Sequence, residues 1–275
     1  MIEVRNLSKA YGETRVLEDI NFKVEAGEFV VVLGPSGAGK STLLRCINRL
    51  TPPSNGEVLI DGESYPVRDK HAYRILSQRI AMVFQHHNLV DRLSVIKNVL
   101  TGRMAKIPFW ACLLQLFPKQ DVEAALNAIA QVGLEEKAWN RADNLSGGQQ
   151  QRVGIARALA QEPDLILADE PVASLDPKTS RQILGYIREV SRKNNIAVLC
   201  NLHQIDYAME FGQRIIGISG GHIVFNGKPE ELTPEIVAQI YPGLEDEGIA
   251  KLVSRTAEEL RRKKAGAPVL KEALC

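Results

Sequence analysis

The sequence predicts an α/β fold in which helices cover a largely parallel β-sheet. Three short, β-branched runs support this prediction, and each is bounded by polar or glycine-containing segments: Phe29 to Leu33, Leu165 to Ala168 and Ala197 to Cys200. Helical stretches separate these runs, as expected where parallel strands are joined by crossover helices. Ahead of this core, residues 2–4 and 20–24 read as half-buried strands. They predict an antiparallel layer packed beside the parallel sheet.

The composition is that of a folded globular protein. The chain has 275 residues, 45% of them hydrophobic, which is enough to bury a substantial core. Its 34 basic and 33 acidic residues give a net charge of +1, so no overall field attracts nucleic acid or an anionic membrane. No apolar stretch reaches the roughly 18 residues of a membrane span, and the N-terminus lacks the pattern of a secretion signal. We therefore expect a chain that neither crosses a membrane nor is secreted.

Cysteine spacing gives no sign of a metal site or a redox pair. The cysteines are far apart and show no C-x-x-C pattern: Cys46, Cys112, Cys200 and Cys275. Free thiols in a reducing compartment are the favoured interpretation.

A glycine-rich motif follows the first of the three apolar runs. It matches G-x-x-x-x-G-K-[ST] in full and lies between the strand ending at Leu33 and a helix predicted over Thr42 to Leu50. Glycines let backbone N–H groups approach phosphate oxygens, and a helix N-terminus favours negative charge. We expect Lys40 to reach the β- and γ-phosphates of a nucleotide and the Ser41 hydroxyl to contact Mg²⁺. The predicted nucleotide-binding residues of this loop are Gly34, Pro35, Ser36, Gly37, Ala38, Gly39, Lys40, Ser41 and Thr42.

Two adjacent carboxylates end the second apolar run. Asp169 is the predicted Mg²⁺ partner, as expected of the second metal-holding motif of nucleoside triphosphatases. Side-chain directions alternate only along an extended strand, so Glu170, just past its end, can face the attacking water. We predict that Glu170 is the general base. A solvated acidic turn is the alternative, and the loop that begins at Gly34 makes it the less favoured one.

A second glycine-rich segment, L-S-G-G-Q, opens a further predicted helix. Alone it could be a helix cap with Ser146 in the N-cap position, although such an N-terminus can also bind an anion. In company with the two motifs above, it resembles the signature of the ABC ATPase family. The resemblance covers residues 1–242 and leaves residues 243–275 as a charged C-terminal extension, which we expect to be solvated rather than regulatory. It implies that the segment binds ATP through Ser146, Gly147, Gly148 and Gln149.

The family resemblance also implies a fold and further site residues. The fold is a P-loop NTPase core with a parallel sheet, an antiparallel β subdomain and a helical subdomain. Tyr11 resembles the aromatic residue that stacks on adenine, and residues 174–177 resemble the loop that joins two active sites across a dimer. Gln85 resembles the glutamine that contacts Mg²⁺ and water and senses the membrane partner, and His203 the switch histidine at the γ-phosphate. The catalytic set is then Lys40, Gln85, Glu170 and His203, and the metal set is Ser41, Gln85 and Asp169.

The same resemblance implies partners and a location. The chain is expected to form a head-to-tail homodimer with two ATP molecules at the interface, and to use Mg²⁺ as a cofactor. It is expected to work with two separate permease subunits as a peripheral protein on the cytoplasmic face of the cell (inner) membrane. A periplasmic or surface substrate-binding protein takes part indirectly, and nucleic acid does not.

Softer features resemble one branch of the family, the ATPases of phosphonate and phosphite importers. They lie in residues 117–119, in residues 168–179 and in the sequence Asn201-Leu202-His203-Gln204. An ATPase subunit does not touch the cargo, so a polar amino-acid importer or another small-anion importer stays an alternative. A non-transport ABC ATPase is less favoured because the chain has no long coiled-coil insertion and no tandem cassette. A GTPase or small-molecule kinase has no use for the signature, and the chain lacks an Asn-Lys-x-Asp motif.

An apolar insertion runs from Pro108 to Phe117 and contains Trp110. One interpretation is an element of the core, the usual fate of such a run. The other is a part of the groove that accepts a permease helix, since the region between Gln85 and Ser146 has that role in relatives. The sequence leaves the two open.

Overall fold

The three apolar runs form neighbouring strands of a mainly parallel sheet. The computed structural model describes residues 1–65, 70–114, 116–243, 248 and 253–258. The strands of this main sheet are β3 (Phe29–Leu33), β6 (Ile80–Val83), β7 (Leu165–Asp169), β8 (Ala197–Asn201), β9 (Arg214–Ser219) and β10 (His222–Gly227). Their order is β10-β9-β3-β8-β7-β6, and all neighbours pair in parallel except β9 and β10. Every residue of β3, β7 and β8 is buried, because both faces of the sheet are covered.

A second, antiparallel sheet packs on one face of the main sheet. Its strands are β1 (Ile2–Tyr11), β2 (Thr14–Val24), β4 (Asn55–Ile60) and β5 (Glu63–Ser64), in the order β2-β1-β4-β5. Along β2, the side chains of Ile20, Phe22 and Val24 are buried, while Asn21 and Lys23 between them are exposed. This alternation gives the sheet one apolar face, which shares a core with β3 and with the first helix. The predicted antiparallel layer is confirmed.

Helices fill the connections between the strands of the main sheet, where the first two pack on the same side as the antiparallel sheet and most of the later ones on the other face. They are α1 (Lys40–Ile47), α2 (Lys70–Arg79), α3 (Val95–Leu100), α4 (Phe109–Leu113), α5 (Lys119–Gln131), α6 (Gly147–Ala160), α7 (Pro177–Asn194), α8 (Ile205–Phe211) and α9 (Pro234–Ile240). Short 3₁₀ segments span Thr101–Lys106, Glu135–Lys137, Ala142–Asn144 and Pro229–Glu231. Helices α3, α5 and α6 pack against one another and form the expected helical subdomain. Their apolar sides join a core that continues onto α7 and the main sheet.

Helix α1 begins and ends earlier than the sequence pattern predicts. It runs from Lys40 to Ile47, whereas we expected Thr42 to Leu50. Gly39 precedes it in the left-handed conformation, with φ of 98°, which a glycine adopts without the cost borne by other residues. Arg49, with φ of 62°, is left-handed as well and ends the helix. Lys40 therefore lies in the first turn of the helix, directly at the end of the loop.

The apolar insertion is divided between the core and the surface. Ala111 is buried and Phe117 is partly buried against the core, while Trp110 is 62% exposed. Leu114 and Leu116 are exposed as well. The interpretation as a core element therefore accounts for the burial of Ala111 and Phe117. It does not account for Trp110, the largest side chain of the segment.

The described part of the C-terminal extension packs on the rest of the chain. Residues 253–258 are helical, and Val253 and Ala257 are buried in the core that contains α5 and α7. The solvated extension that we expected is therefore wrong for Val253 and Ala257, while residues 254, 255 and 258 are exposed. Of the rest of the extension, the structure describes only residues 243 and 248.

Two further expectations concern the thiols and the membrane. Cys46, Cys112 and Cys200 are free cysteines, and Cys275 lies outside the described residues. Burial raises the pKa of the Cys46 thiol to about 11.

In the described part of the chain, no helix combines the length and the apolar character that crossing a bilayer requires.

Candidate active site

The loop from Gly34 to Ser41 connects β3 to α1 at the carboxyl end of the main sheet. Its last glycine, Gly39, cannot be replaced without distortion. A Cβ atom at this position would lie 2.7 Å from Leu17 Cδ2 and 2.9 Å from the backbone oxygen of Val16, and the positive φ disfavours other residues independently. The β2 strand thus packs directly against the loop and determines its path.

Lys40 is buried at the start of α1, with 4% of its surface exposed. Its Nζ donates hydrogen bonds to the backbone oxygens of Gly34 at 2.7 Å and Pro35 at 3.0 Å. Burial lowers the pKa of the ammonium group, and the charges of Glu170 and Asp169 oppose this shift. The loop's own carbonyls therefore hold the ammonium group beside the glycine-rich turn.

Asp169, the last residue of β7, receives two hydrogen bonds on one carboxylate oxygen. Ser41 Oγ donates to its Oδ1 at 2.8 Å, and Asn201 Nδ2 donates to the same atom at 2.9 Å. The residue is buried, with 8% of its surface exposed. Buried carboxylates are stabilised by such donors, so Asp169 is held from both the loop and strand β8.

Glu170 and His203 form a hydrogen-bonded pair at the same edge of the sheet. Their side chains meet at 2.5 Å between Glu170 Oε1 and His203 Nε2. Glu170 follows β7 and has a left-handed backbone with φ of 50°, which costs a residue with a side chain about 1–3 kcal/mol. This backbone turns the chain out of the strand direction, and His203, which follows β8, meets the carboxylate there. Strain of this kind concentrates at functional sites.

One cavity unites the loop with this pair. Its volume is about 380 Å³. Its lining consists of Val16, Ser36, Gly37, Gly39, Lys40, Ser41, Thr42, Glu170 and His203. The cavity combines a cationic side chain and a helix N-terminus with a carboxylate and an imidazole. It can therefore hold a phosphate chain and place a proton acceptor beside it.

The lining of this cavity leaves out several predicted site residues: Gly34, Pro35, Ala38, Asp169, Tyr11 and Gln85. Tyr11 lies at the end of β1, 52% exposed, and the Lys9 ammonium is 4.6 Å from the centre of its ring. Gln85 follows β6, which pairs with β7, so it lies at the same sheet edge as Asp169. Gln85 is half-buried and does not line the cavity. Its contact with Mg²⁺ and water therefore stays a prediction.

The signature segment lies at a different place, at the start of α6. Ser146 is the N-cap: its Oγ accepts from the Gln149 backbone N–H at 3.4 Å, while Gln149 Oε1 accepts from the Ser146 N–H at 3.0 Å. This reciprocal capping box satisfies free N–H groups of the first turn. A second cavity, of about 420 Å³, is lined by residues of this segment and by Ser174, Leu175 and Asp176. It shares no lining residue with the first cavity.

Side chains that sequence reasoning missed tie the Gln85 segment to the signature helix. His87 Nε2 lies 2.8 Å from the backbone oxygen of Gly147. From α6, the Arg157 guanidinium donates to the backbone oxygens of His87 and Asn88, at 3.1 and 2.6 Å. The half-buried Arg157 is predicted from no local motif, because its partners lie about 70 residues away. The segment after β6 and helix α6 therefore form one hydrogen-bonded unit.

Comparison with known proteins identifies the family. Residues 17–173 match the family model described as ABC transporter, which is more than half of the chain. The chain belongs to the ABC transporter family. The predicted family and the predicted ATP-binding subunit are thus confirmed, and the chain is an ABC-type ATPase.

Curated relatives of this ABC-type ATPase include two proteins of the same printed name. The phosphonates import ATP-binding protein PhnC of Shouchella clausii is 51% identical over 262 residues, which cover 94% of this chain and 98% of that protein. The PhnC protein of Thiobacillus denitrificans is 51% identical over 249 residues, covering 90% of this chain and 95% of that protein.

Solved structures of ABC proteins share the fold. A dimeric ATP-binding cassette in a post-hydrolysis state with ADP and Pi has a TM-score of 0.71 and 35% identity, covering 83% of this chain and 98% of that chain. The cbiO1 protein of Clostridium perfringens, part of the ABC transporter complex cbiONQ, has a TM-score of 0.76 and 27% identity. It covers 91% of this chain and 97% of that chain. The predicted ABC ATPase fold is confirmed.

Replacing Gly39 by alanine should weaken ATP binding of the ABC-type ATPase. The substitution imposes a backbone strain of about 1–3 kcal/mol and a clash with β2, so we expect an affinity loss of about tenfold or more. Titration with a fluorescent ATP analogue measures it. The matched control is Gly185→Ala, because a Cβ at Gly185 meets nothing within 4 Å. Equal affinities of the two variants would show that the conformation at Gly39 does not matter for binding.

Proposed function

We propose that this chain is the ATP-binding and ATP-hydrolysing subunit of an importer for phosphonate or phosphite, which acts through separate permease subunits. The observation that carries the catalytic part is the cavity that unites Lys40, Glu170 and His203. The cargo is supported by the phosphonates import ATP-binding proteins that are about half identical to the chain over almost their full lengths. The ABC domain is assigned to residues 1–242 and the C-terminal extension to residues 243–275.

Hydrolysis requires the phosphate chain and a water molecule to meet between the loop and the acidic strand end. The loop N–H groups and Lys40 bind the β- and γ-phosphates and stabilise the negative charge of the transition state. Glu170 accepts the proton of the attacking water. The His203 ring, 2.5 Å from Glu170 Oε1, orients this carboxylate and lies in the same cavity wall. Catalysis is then positioning and charge stabilisation, as in other phosphoryl transfers.

Ser41 and Asp169 suit a magnesium ion. Both offer oxygen ligands, which this ion prefers, and Ser41 Oγ and Asp169 Oδ1 are 2.8 Å apart. Magnesium sites for nucleotides use one or two carboxylates together with phosphate oxygens and water, so a full cage of protein ligands is not needed. When bound, the ion neutralises charge that develops on the phosphate oxygens. Gln85 is assigned as a further contact from the end of β6.

A homodimer completes the active site. The cavity at Lys40 and the cavity at Ser146 have no lining residue in common, so the signature segment of one chain does not line that chain's own phosphate cavity. In the proposed dimer, a second copy of the chain supplies it. In a head-to-tail dimer, residues 146–149 of one protomer cover the nucleotide on the loop of its partner. The likeness to a dimeric cassette with ADP and Pi supports this arrangement. ATP binding closes the dimer and switches the permease, and hydrolysis reopens it.

The surface of the apolar insertion is the proposed docking site for the permease. Trp110, Leu114 and Leu116 are large, apolar and more than half exposed, and exposed apolar groups that cluster in one segment mark interaction sites. In this arrangement the chain is a peripheral protein on the cytoplasmic face of the inner membrane. A periplasmic or surface substrate-binding protein meets the permease and affects this chain only indirectly.

Replacing Glu170 by glutamine should separate binding from turnover. The amide keeps the shape of the carboxylate but cannot accept the proton, so we expect MgATP binding within about twofold of wild type and turnover reduced on the order of 10²- to 10⁴-fold. Nucleotide titration and steady-state phosphate release measure the two. Glu189→Gln, on the exposed side of α7, is the control with normal turnover. Undiminished hydrolysis by the Glu170 variant would remove this residue from the role of base.

Replacing Trp110 by alanine should weaken assembly with the permease and leave the ATPase activity of the isolated subunit within about twofold of wild type. Central interface tryptophans contribute about 2 kcal/mol or more, roughly 30-fold in affinity. Co-purification with the permease from detergent-solubilised membranes measures the loss. Trp110→Phe retains an aromatic surface and serves as the matched variant that assembles. If the alanine variant assembles as well as wild type, the insertion is not the docking site.

The cargo is tested by growth of the host from which the chain comes. Deletion of the gene should abolish growth on methylphosphonate or on phosphite as the sole phosphorus source, while growth on inorganic phosphate continues. The wild-type gene should restore growth, and the Glu170→Gln gene should not, because transport requires turnover. Normal growth of the deletion strain on both sources would contradict the cargo. Mass spectrometry of co-purified permeases then distinguishes an amino-acid or other anion importer.

A further inference from the structure

Strand β8 ends in a buried polar residue, and the stability of the fold alone does not explain it. Its first four residues, Ala197 to Cys200, are apolar and buried, and the fifth, Asn201, has no exposed surface at all. In the parallel register, Asn201 lies opposite Asp169 of β7. The amide therefore lies beside the carboxylate that we assign to magnesium.

Only one end of this amide has a partner. Its Nδ2 donates to Asp169 Oδ1 at 2.9 Å, whereas its Oδ1 is buried and, within the described residues, has no hydrogen-bond partner in the protein. A buried acceptor without a partner destabilises the folded state. An apolar residue of similar size would avoid this cost, so the stability of the fold does not explain the asparagine.

Exchanging the two ends of the amide does not remove the difficulty. An ionised carboxylate is only an acceptor, so an asparagine oxygen turned towards Asp169 would face another acceptor. The contact with Asp169 therefore determines which end of the amide points to it. The unpaired oxygen is the consequence of keeping a donor at this carboxylate.

The two donors on Asp169 come from different parts of the site. Ser41 is on the phosphate-binding loop and Asn201 is on the strand that leads to His203, and both reach Oδ1, at 2.8 and 2.9 Å. The hydroxyl of Ser41 is itself assigned to magnesium and cannot serve Asp169 alone. Asn201, by contrast, is the last residue of a strand that is buried along its whole length.

We propose that Asn201 is a positioning residue that holds the Asp169 carboxylate in the orientation needed for the magnesium ion bound with ATP. The inference rests on the proposed function, because it assumes that Asp169 serves MgATP. Groups that orient a metal ligand without touching the metal typically change metal affinity about 10- to 100-fold when they are removed. Loss of the Asn201 amide should therefore raise the magnesium requirement and leave the affinity for the nucleotide base and ribose unaffected.

The test uses two variants of nearly the same shape, Asn201→Val and Asn201→Thr, in the non-hydrolysing Glu170→Gln background. Valine has no donor, whereas threonine keeps a hydroxyl. The melting temperature is measured without nucleotide and then at saturating ATP across a magnesium titration. We expect the valine variant to melt close to its parent without nucleotide, yet to need about 10- to 100-fold more magnesium for half of the ATP-dependent stabilisation. Threonine should recover most of this loss.

Three outcomes would count against the proposal. If the valine variant shows the magnesium midpoint of its parent, Asn201 does not position Asp169. If both variants melt much lower without nucleotide and their midpoints are unchanged, the amide is structural only. If the Glu170→Gln parent itself gains no magnesium-dependent stabilisation from ATP, the proposed MgATP site is wrong, and the inference falls with it. The parent thus distinguishes failure of the function from failure of the inference.

Discussion

The parallel pairing of β3, β8 and β7 is the constraint on which the site depends. Strands that run in the same direction end at the same edge of the sheet, where ligands of open α/β sheets bind. Each of these three strands leads into a different part of the site. The phosphate-binding loop follows β3, Glu170 follows β7, and His203 lies shortly after β8. Because the strands are neighbours, residues more than a hundred positions apart in sequence line one small cavity. A slip of the register would separate Asp169 from Ser41 and Asn201.

The sequence predicts the parts of this arrangement that depend on local pattern. Apolar runs locate β3, β7 and β8 of the main sheet, and the glycine-rich motifs locate the two helix N-termini, because both patterns follow from backbone geometry and burial alone. Asp169 and Glu170 were predicted from their place at a strand end, and the structure brings them to Ser41 and His203. Tyr11 and Gln85 rest on family resemblance and do not line the cavity. Their contribution depends on a nucleotide and a partner chain, which no local pattern describes.

Other residues could not be predicted because their importance comes only from long-range contacts. In the sequence, Asn201 is only the polar end of an apolar strand, in a segment that resembles one branch of the family. The structure reveals its place, because the strand register puts it opposite Asp169. His87 and Arg157 have no motif of their own, yet they join the segment after β6 to the signature helix. The early start of α1 has a similar origin, since Gly39 before it is left-handed and lies too close to β2 for a Cβ atom. Pattern thus predicts elements, while packing decides which side chains meet.

The location of the tryptophans has a consequence for spectroscopy. The chain has two, Trp110 and Trp139, and both lie at the surface, 62% and 72% exposed. Intrinsic fluorescence of the free subunit therefore reports on the solvent around these indoles more than on the packing of the core. Burial of Trp110 against another protein would shift its emission to shorter wavelength and protect it from quenchers. Trp110 is thus an intrinsic fluorescence probe on the face that we assign to the permease, and Trp139 is the internal reference.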